Sequence, residues 1–226
     1  MKKASSISIF AAAMGLLEAV VVVYLRMVFY PEGFLFPLKL INPQVYSIEL
    51  ARELATLVML GSVSLLSGKK RSTRFAYFLL SFGIWDIFYY VFLKVFLDWP
   101  VTLMDWDILF LIPVAWAGPV LAPVICSLMM IILSLLILYF DDRGLSVSFR
   151  LKEFWLILLG AAVVFYTFLR DYTGLLIRAS RTSEAVEPFL VNFTPCDYQW
   201  GIFTSGIVLI VLGSALWTRR MICQKN

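Results

Sequence analysis

The chain has 226 residues, 62% of them hydrophobic and only 15% charged, with a mean hydropathy of +0.89. Soluble domains run nearer half apolar and a quarter charged, so this surplus belongs to a chain whose outer surface faces lipid. Histidine is absent, which excludes bis-His haem, His-ligated zinc and Ser-His-Asp chemistry, and no cofactor is expected. The three cysteines, Cys126, Cys196 and Cys223, form no CxxC and fall in different regions, so neither a disulfide framework nor a thiolate metal site is expected.

A bilayer core about 30 Å thick needs about 20 apolar residues per helix. The first such stretch is 7–29. Its start, MKKASSISIF, resembles a signal peptide, but the apolar run continues to Phe29 and carries Glu18, so it reads as a first span. Glu18 is the twelfth residue of that stretch, about 16 Å from either end and near the midplane. Arg26 lies close to its far end.

The second span, 45–66, carries "IELARELAT". Glu49, Arg52, Glu53 and Thr56 fall at i, i+3, i+4 and i+7 and share one helical face. Glu49 and Glu53 would lie about 6 and about 12 Å deep. The third span, 75–97, carries "GIWDIFYY", with Asp86 again the twelfth residue. Glu18 and Asp86 at equal depth could share a site and retain a proton between them. Tyr90 at i+4 can donate along the Asp86 face, and Lys94 stands one turn beyond. Ionisable residues inside spans cost about 2.5–3.5 kcal/mol each on insertion scales. Glu18, Glu53, Asp86 and Tyr90 are therefore the candidate buried polar site, and Arg26, Glu49, Arg52 and Lys94 a candidate charge ladder leading to it. The competing reading is that these charges pair between helices and hold the bundle together. If the midplane carboxylates serve function alone, replacing Glu18 and Asp86 together by their amides should be nearly neutral for folding.

From Ile108 to Phe140 the chain is apolar for 33 residues, about 50 Å as one helix, which is too long to cross straight. Pro113, Gly118, Pro119 and Pro123 interrupt its first third. A half-helix or re-entrant piece over 106–116, followed by a span over 118–140, fits this pattern. An interfacial segment anchored by Trp99, Trp106 and Trp116 fits it as well. In "DWPVTLMDWD", Asp105 and Asp107 are a candidate site for a hard cation, set against loop charge with Asp107 capping the half-helix. The remaining spans are 153–171 and 201–218, and between them 172–200 could form an amphipathic surface helix ended by Pro188.

The basic residues orient the bundle. With the N-terminus inside, Lys2, Lys3, Lys69, Lys70, Arg71, Arg74, Arg143, Arg150, Lys152, Arg219, Arg220 and Lys225 are all inner, against Lys39, Arg178 and Arg181 outer. Both termini are then cytoplasmic. The formal charge of +4 marks a membrane face and implies no nucleic-acid partner. The expectation is a single all-α domain, 1–226, of about six transmembrane helices in a cell membrane. Its partners are the bilayer and a small cation, a proton or a lipid. Its function is open between a small-solute or ion transporter, an intramembrane enzyme acting on a lipid or polyprenyl substrate, and a non-catalytic membrane subunit.

The run "WDIFYYVFLKVFLDWPVTLMDWDILFLIPVAWAGPVLAPV" (85–124) resembles the signature stretch of a family of uncharacterised prokaryotic multi-pass membrane proteins. The resemblance implies a bacterial or archaeal cell membrane and brings no activity with it.

Overall fold

The computed structural model describes residues 2–34, 42–112, 114–182 and 197–225. Its elements, in chain order, are α1 (Lys2–Phe29), α2 (Pro43–Ser67), α3 (Arg71–Leu97), β1 (Trp106–Phe110), β2 (Trp116–Pro119), α4 (Leu121–Asp142), α5 (Leu151–Thr182) and α6 (Trp200–Lys225). Six of the helices are long and apolar enough to cross a membrane, α5 over Leu151–Gly174. Their outward faces carry large apolar side chains: Leu66 is 86% exposed and Ile9 72%, which only a lipid environment makes favourable.

Local chemistry sets the helix ends. Asn42 accepts from the amide of Gln44 at 2.9 Å, and Pro43 occupies the first turn of α2, where its missing N–H costs nothing. At α3 the Thr73 hydroxyl accepts from the Lys70 amide at 3.1 Å. That helix ends on Asp98, whose φ of 50° breaks the ladder. The helices overlie the apolar stretches 7–29, 45–66, 75–97, 118–140, 153–171 and 201–218, with α1 beginning at Lys2, α5 running on to Thr182 and α6 to Lys225. The amphipathic helix ended by Pro188 falls outside the described residues.

One expectation is corrected. Residues 106–116 form no half-helix. Strands β1 and β2 pair antiparallel, with Trp106 opposite Pro119 and Ile108 opposite Ala117. The pairing continues into α4 through Val120 N to Asp105 O (3.0 Å) and Leu121 N to Leu103 O (2.8 Å). A hairpin satisfies its backbone groups internally, which a proline-broken half-helix cannot do away from water. It is re-entrant in the sense that it sits inside the bundle: Phe110 packs with Ala11, Met14, Leu60 and Trp85 from α1, α2 and α3.

Helix α3 is the hub. It packs on α1, α2 and α4, while α5 and α6 pair chiefly with each other and α4 barely touches α6. The molecule thus has a four-helix group and a two-helix group. In the second, Gly160 and Gly206 let the backbones meet: a Cβ on Gly206 would stand 2.8 Å from the Gly160 carbonyl oxygen, so larger residues would force the pair apart. The two groups join at each end. At one, Ala122 packs with Val164, Phe168 and Phe203. At the other, Phe140 packs with Trp217 and Met221. The latter end also collects most of the basic residues, tied by Lys3 to Ser67 O (3.2 Å), Lys70 to Asp141 (2.8 Å) and Arg220 to Glu153 (2.7 Å).

Candidate functional site

The buried charges divide into two places. Towards the hairpin end of the four-helix group, Arg52 on α2 joins the carboxylates of Glu18 on α1 and Glu49, the latter at 2.7 Å. Thr56 donates to Glu18 at 3.3 Å. Glu53, one turn along α2 from Glu49, receives the Leu111 amide of the hairpin on both oxygens, at 3.1 and 2.9 Å. The helical face from Glu49 to Thr56 thus grips α1 and the hairpin together.

Arg26 reaches the same hairpin from α1, donating to Asp107 at 3.0 Å, with Tyr89 donating to the other oxygen at 3.4 Å. The guanidinium lies over Trp99, 3.8 Å from the ring centroid, and over Phe34 at 4.4 Å. Asp107 is therefore a buried ion-pair partner and caps no helix. Asp105 points elsewhere, accepting from Val101 N (2.7 Å), Thr102 N (3.2 Å) and the Thr102 hydroxyl (2.8 Å). The two carboxylates do not converge on a common cation position. Lys94 likewise leaves the ladder: it pairs with Asp98 at 2.8 Å and donates to Pro100 O at 3.0 Å. That bond and charge hold the Asp98 carboxyl below its ordinary range.

Asp86 is apart from all of these. It projects from the face of α3 that meets α4, where Ser127 donates to it at 2.8 Å. Gly83, one turn earlier, makes this approach possible, since a Cβ there would stand 2.7 Å from the Ser127 carbonyl oxygen. Glu18 occupies the other side of the hub, against α2. The structure therefore brings Glu18, Glu49, Arg52 and Glu53 together and leaves Asp86 outside the group. Tyr90 is buried and interacts with Asp107, so it is not a dedicated partner of Asp86.

Asp86 instead lines a cavity of about 720 Å³ between the two helix groups. Phe82 and Trp85 of α3, Met130 of α4, Ala161 and Phe165 of α5 and Ile210 of α6 are among its walls. The hairpin closes one end with Phe110 and Trp116, and Ser72 and Phe149 mark the other. Among the described residues Asp86 is the only carboxylate on its surface; the other polar groups there are the side chains of Ser72, Cys126 and Ser127 and the indole N–H groups of Trp85 and Trp116, which are buried without a hydrogen-bond partner among the described residues. The cavity escaped sequence reasoning because it arises from how two helix groups diverge. The signal in the chain was the pair Cys126–Ser127, small polar residues in a stretch otherwise apolar over 121–133.

Fold and composition together define a multi-pass α-helical membrane protein. No family model matches the chain, and the comparisons with curated proteins and with solved structures give no match either.

Proposed function

We propose that this protein is a cell-membrane carrier of an amphiphilic, lipid-like solute, with both termini in the cytoplasm. The solute's hydrocarbon part lies in the cavity between the α3–α4 and α5–α6 walls, and a polar group on it meets Asp86 and Ser127. The observation that carries this reading is the cavity: about 720 Å³, walled almost wholly by apolar side chains and, among the described residues, holding a single carboxylate. Apolar material from the bilayer is the natural filling, and a pocket with few convergent polar groups is what ligand sites look like.

The alternative in which Glu18 and Asp86 together pass a proton or cation draws less support, because α3 separates them and Glu18 is already held by Arg52 and Thr56. Beside Asp86 an enzymatic reading finds, among the described residues, only the Ser127 hydroxyl that donates to it and the Cys126 thiol, with no histidine or second carboxylate in the cavity to activate either. Reconstitution in liposomes with a set of fluorescent-chain lipids and long-chain amines tests the proposal. Wild type should accelerate transbilayer movement or exchange of at least one of them, and Asp86→Asn should reduce that rate about tenfold or more. Rates equal to protein-free liposomes across the set would overturn it.

A further inference from the structure

We infer that the cavity selects a lipophilic organic cation, an amphiphile whose only charge is an amine held between the Asp86 carboxylate and a wall of aromatic rings; this rests on the carrier reading above and names its solute. Asp86 accepts on one oxygen only, from Ser127 at 2.8 Å, and forms no ion pair with a described residue. The other charged side chain that acts on it is Asp107, itself a carboxylate. Among the described residues no Lys or Arg lines the cavity. The indole N–H groups of Trp85 and Trp116 are neutral donors and supply no charge that would hold an anion. An ionised carboxylate in such surroundings is costly unless a cation joins it. Here that cation comes with the solute.

The walls fit a positive charge. Ring centroids of Phe82 and Trp85 on α3 stand 5.2 Å apart, edge to face. Those of Phe110 and Trp116 on the hairpin are 5.4 Å apart, and Trp116 meets Phe165 of α5 edge to face at 4.7 Å. All five rings line the cavity, and Trp85 packs with Phe110, so the aromatic wall runs from α3 across the hairpin to α5. Ring faces attract cations, the more strongly away from water. The chain holds its own Arg26 by the same chemistry: the guanidinium pairs with Asp107 at 3.0 Å and lies over Trp99 at 3.8 Å and Phe34 at 4.4 Å. Asp86 has the carboxylate and the rings, with about 720 Å³ of space beside them. That volume falls in the range of about 300–1,000 Å³ typical of sites for small organic ligands. A zwitterionic phospholipid would bring a phosphate for which the described walls offer no cation, so the amine is the solute's sole charge.

The test uses the full-length protein in nanodiscs of neutral lipid, with empty nanodiscs as the baseline. The probes are a primary alkylammonium with a fluorescent chain, the alcohol and the phosphatidylethanolamine carrying the same chain, and butylammonium. Wild type should bind the alkylammonium about tenfold tighter than the alcohol, and the phosphatidylethanolamine no tighter than the alcohol. Asp86→Asn should bring the ammonium-to-alcohol ratio near one while changing alcohol binding little. Phe165→Leu keeps the wall apolar, leaves Asp86 intact and should lower the ratio about threefold. Asp98→Asn, which neutralises an exposed carboxylate at the end of α3, should preserve it. Equal binding of alkylammonium and alcohol by wild type, or a preference that survives Asp86→Asn, would overturn the assignment and leave the carrier reading standing. An unchanged ratio in Phe165→Leu would overturn the role of the rings. Phosphatidylethanolamine bound as tightly as the alkylammonium would overturn the single charge, and butylammonium bound as tightly would overturn the amphiphile. Binding of no chain-bearing probe above the empty nanodiscs would bring down the carrier reading and the cation with it.

Discussion

The α2 polar face and the Asp86 cavity both place carboxylates among apolar helices, yet they are built in opposite ways. Around α2 each carboxylate meets a specific donor: Glu18 and Glu49 meet Arg52, and Glu53 meets the Leu111 amide. Asp86 meets one hydroxyl and a large apolar space. Charges closed off by partners contribute to holding α1, α2 and the hairpin in place, while a carboxylate left beside a cavity is free to interact with something that enters it. Depth in the membrane does not distinguish the two; the packing around each residue does.

Mutations should separate the regions, with Arg52 first. Arg52→Met leaves Glu18 and Glu49 buried without their cation, and breaking a buried pair from one side costs about 3–5 kcal/mol. At about 2–4 °C per kcal/mol for a chain of this size, the melting temperature in detergent should drop by about 10 °C, read by differential scanning fluorimetry. Glu53→Ala comes next. It strands the Leu111 amide at a cost of about 1–3 kcal/mol, whereas Glu53→Gln keeps an acceptor and should recover much of the loss. Equal losses in the two variants would contradict the hairpin-anchoring role.

The expectation that Glu18→Gln and Asp86→Asn are both nearly neutral is now divided by their surroundings. Glu18→Gln should destabilise by about 1–3 kcal/mol because Arg52 loses one of its two counter-charges. Asp86→Asn keeps a hydrogen-bond acceptor for Ser127 and should leave the melting temperature within a few degrees while affecting solute handling. A drop for Asp86→Asn as large as for Arg52→Met would erase the distinction between the regions. Lys94→Ala, at the exposed end of α3, should show no measurable change.

Much of the fold was legible in the chain because lipid imposes simple rules. Helix number followed from apolar run length, and the clustering of Lys70, Arg71, Arg220 and their neighbours at one end followed from charge counting. The spacing of Glu49, Arg52, Glu53 and Thr56 was readable as one face because helical geometry is local. What could not be read was how the helices pack around one another. Asp107 looked like a loop charge because nothing in its local sequence reveals that Arg26, far back along the chain, is its partner. The hairpin was hidden because the prolines that rule out a helix do not say what replaces it. Equal depth suggested that Glu18 and Asp86 meet, yet depth leaves the direction around α3 unspecified, and Gly83 and Gly15 turn different faces of the hub to α4 and α1.

The central claim is that the cavity beside Asp86 holds a lipid-like molecule, and native mass spectrometry of the protein released gently from its own membrane tests it most directly. Wild type should carry a retained adduct of lipid mass, and Ala161→Trp, which narrows the cavity and is folded to the same melting temperature, should carry clearly less of it. A wild-type spectrum showing only the bare chain, or an adduct that persists unchanged in Ala161→Trp, would contradict the account.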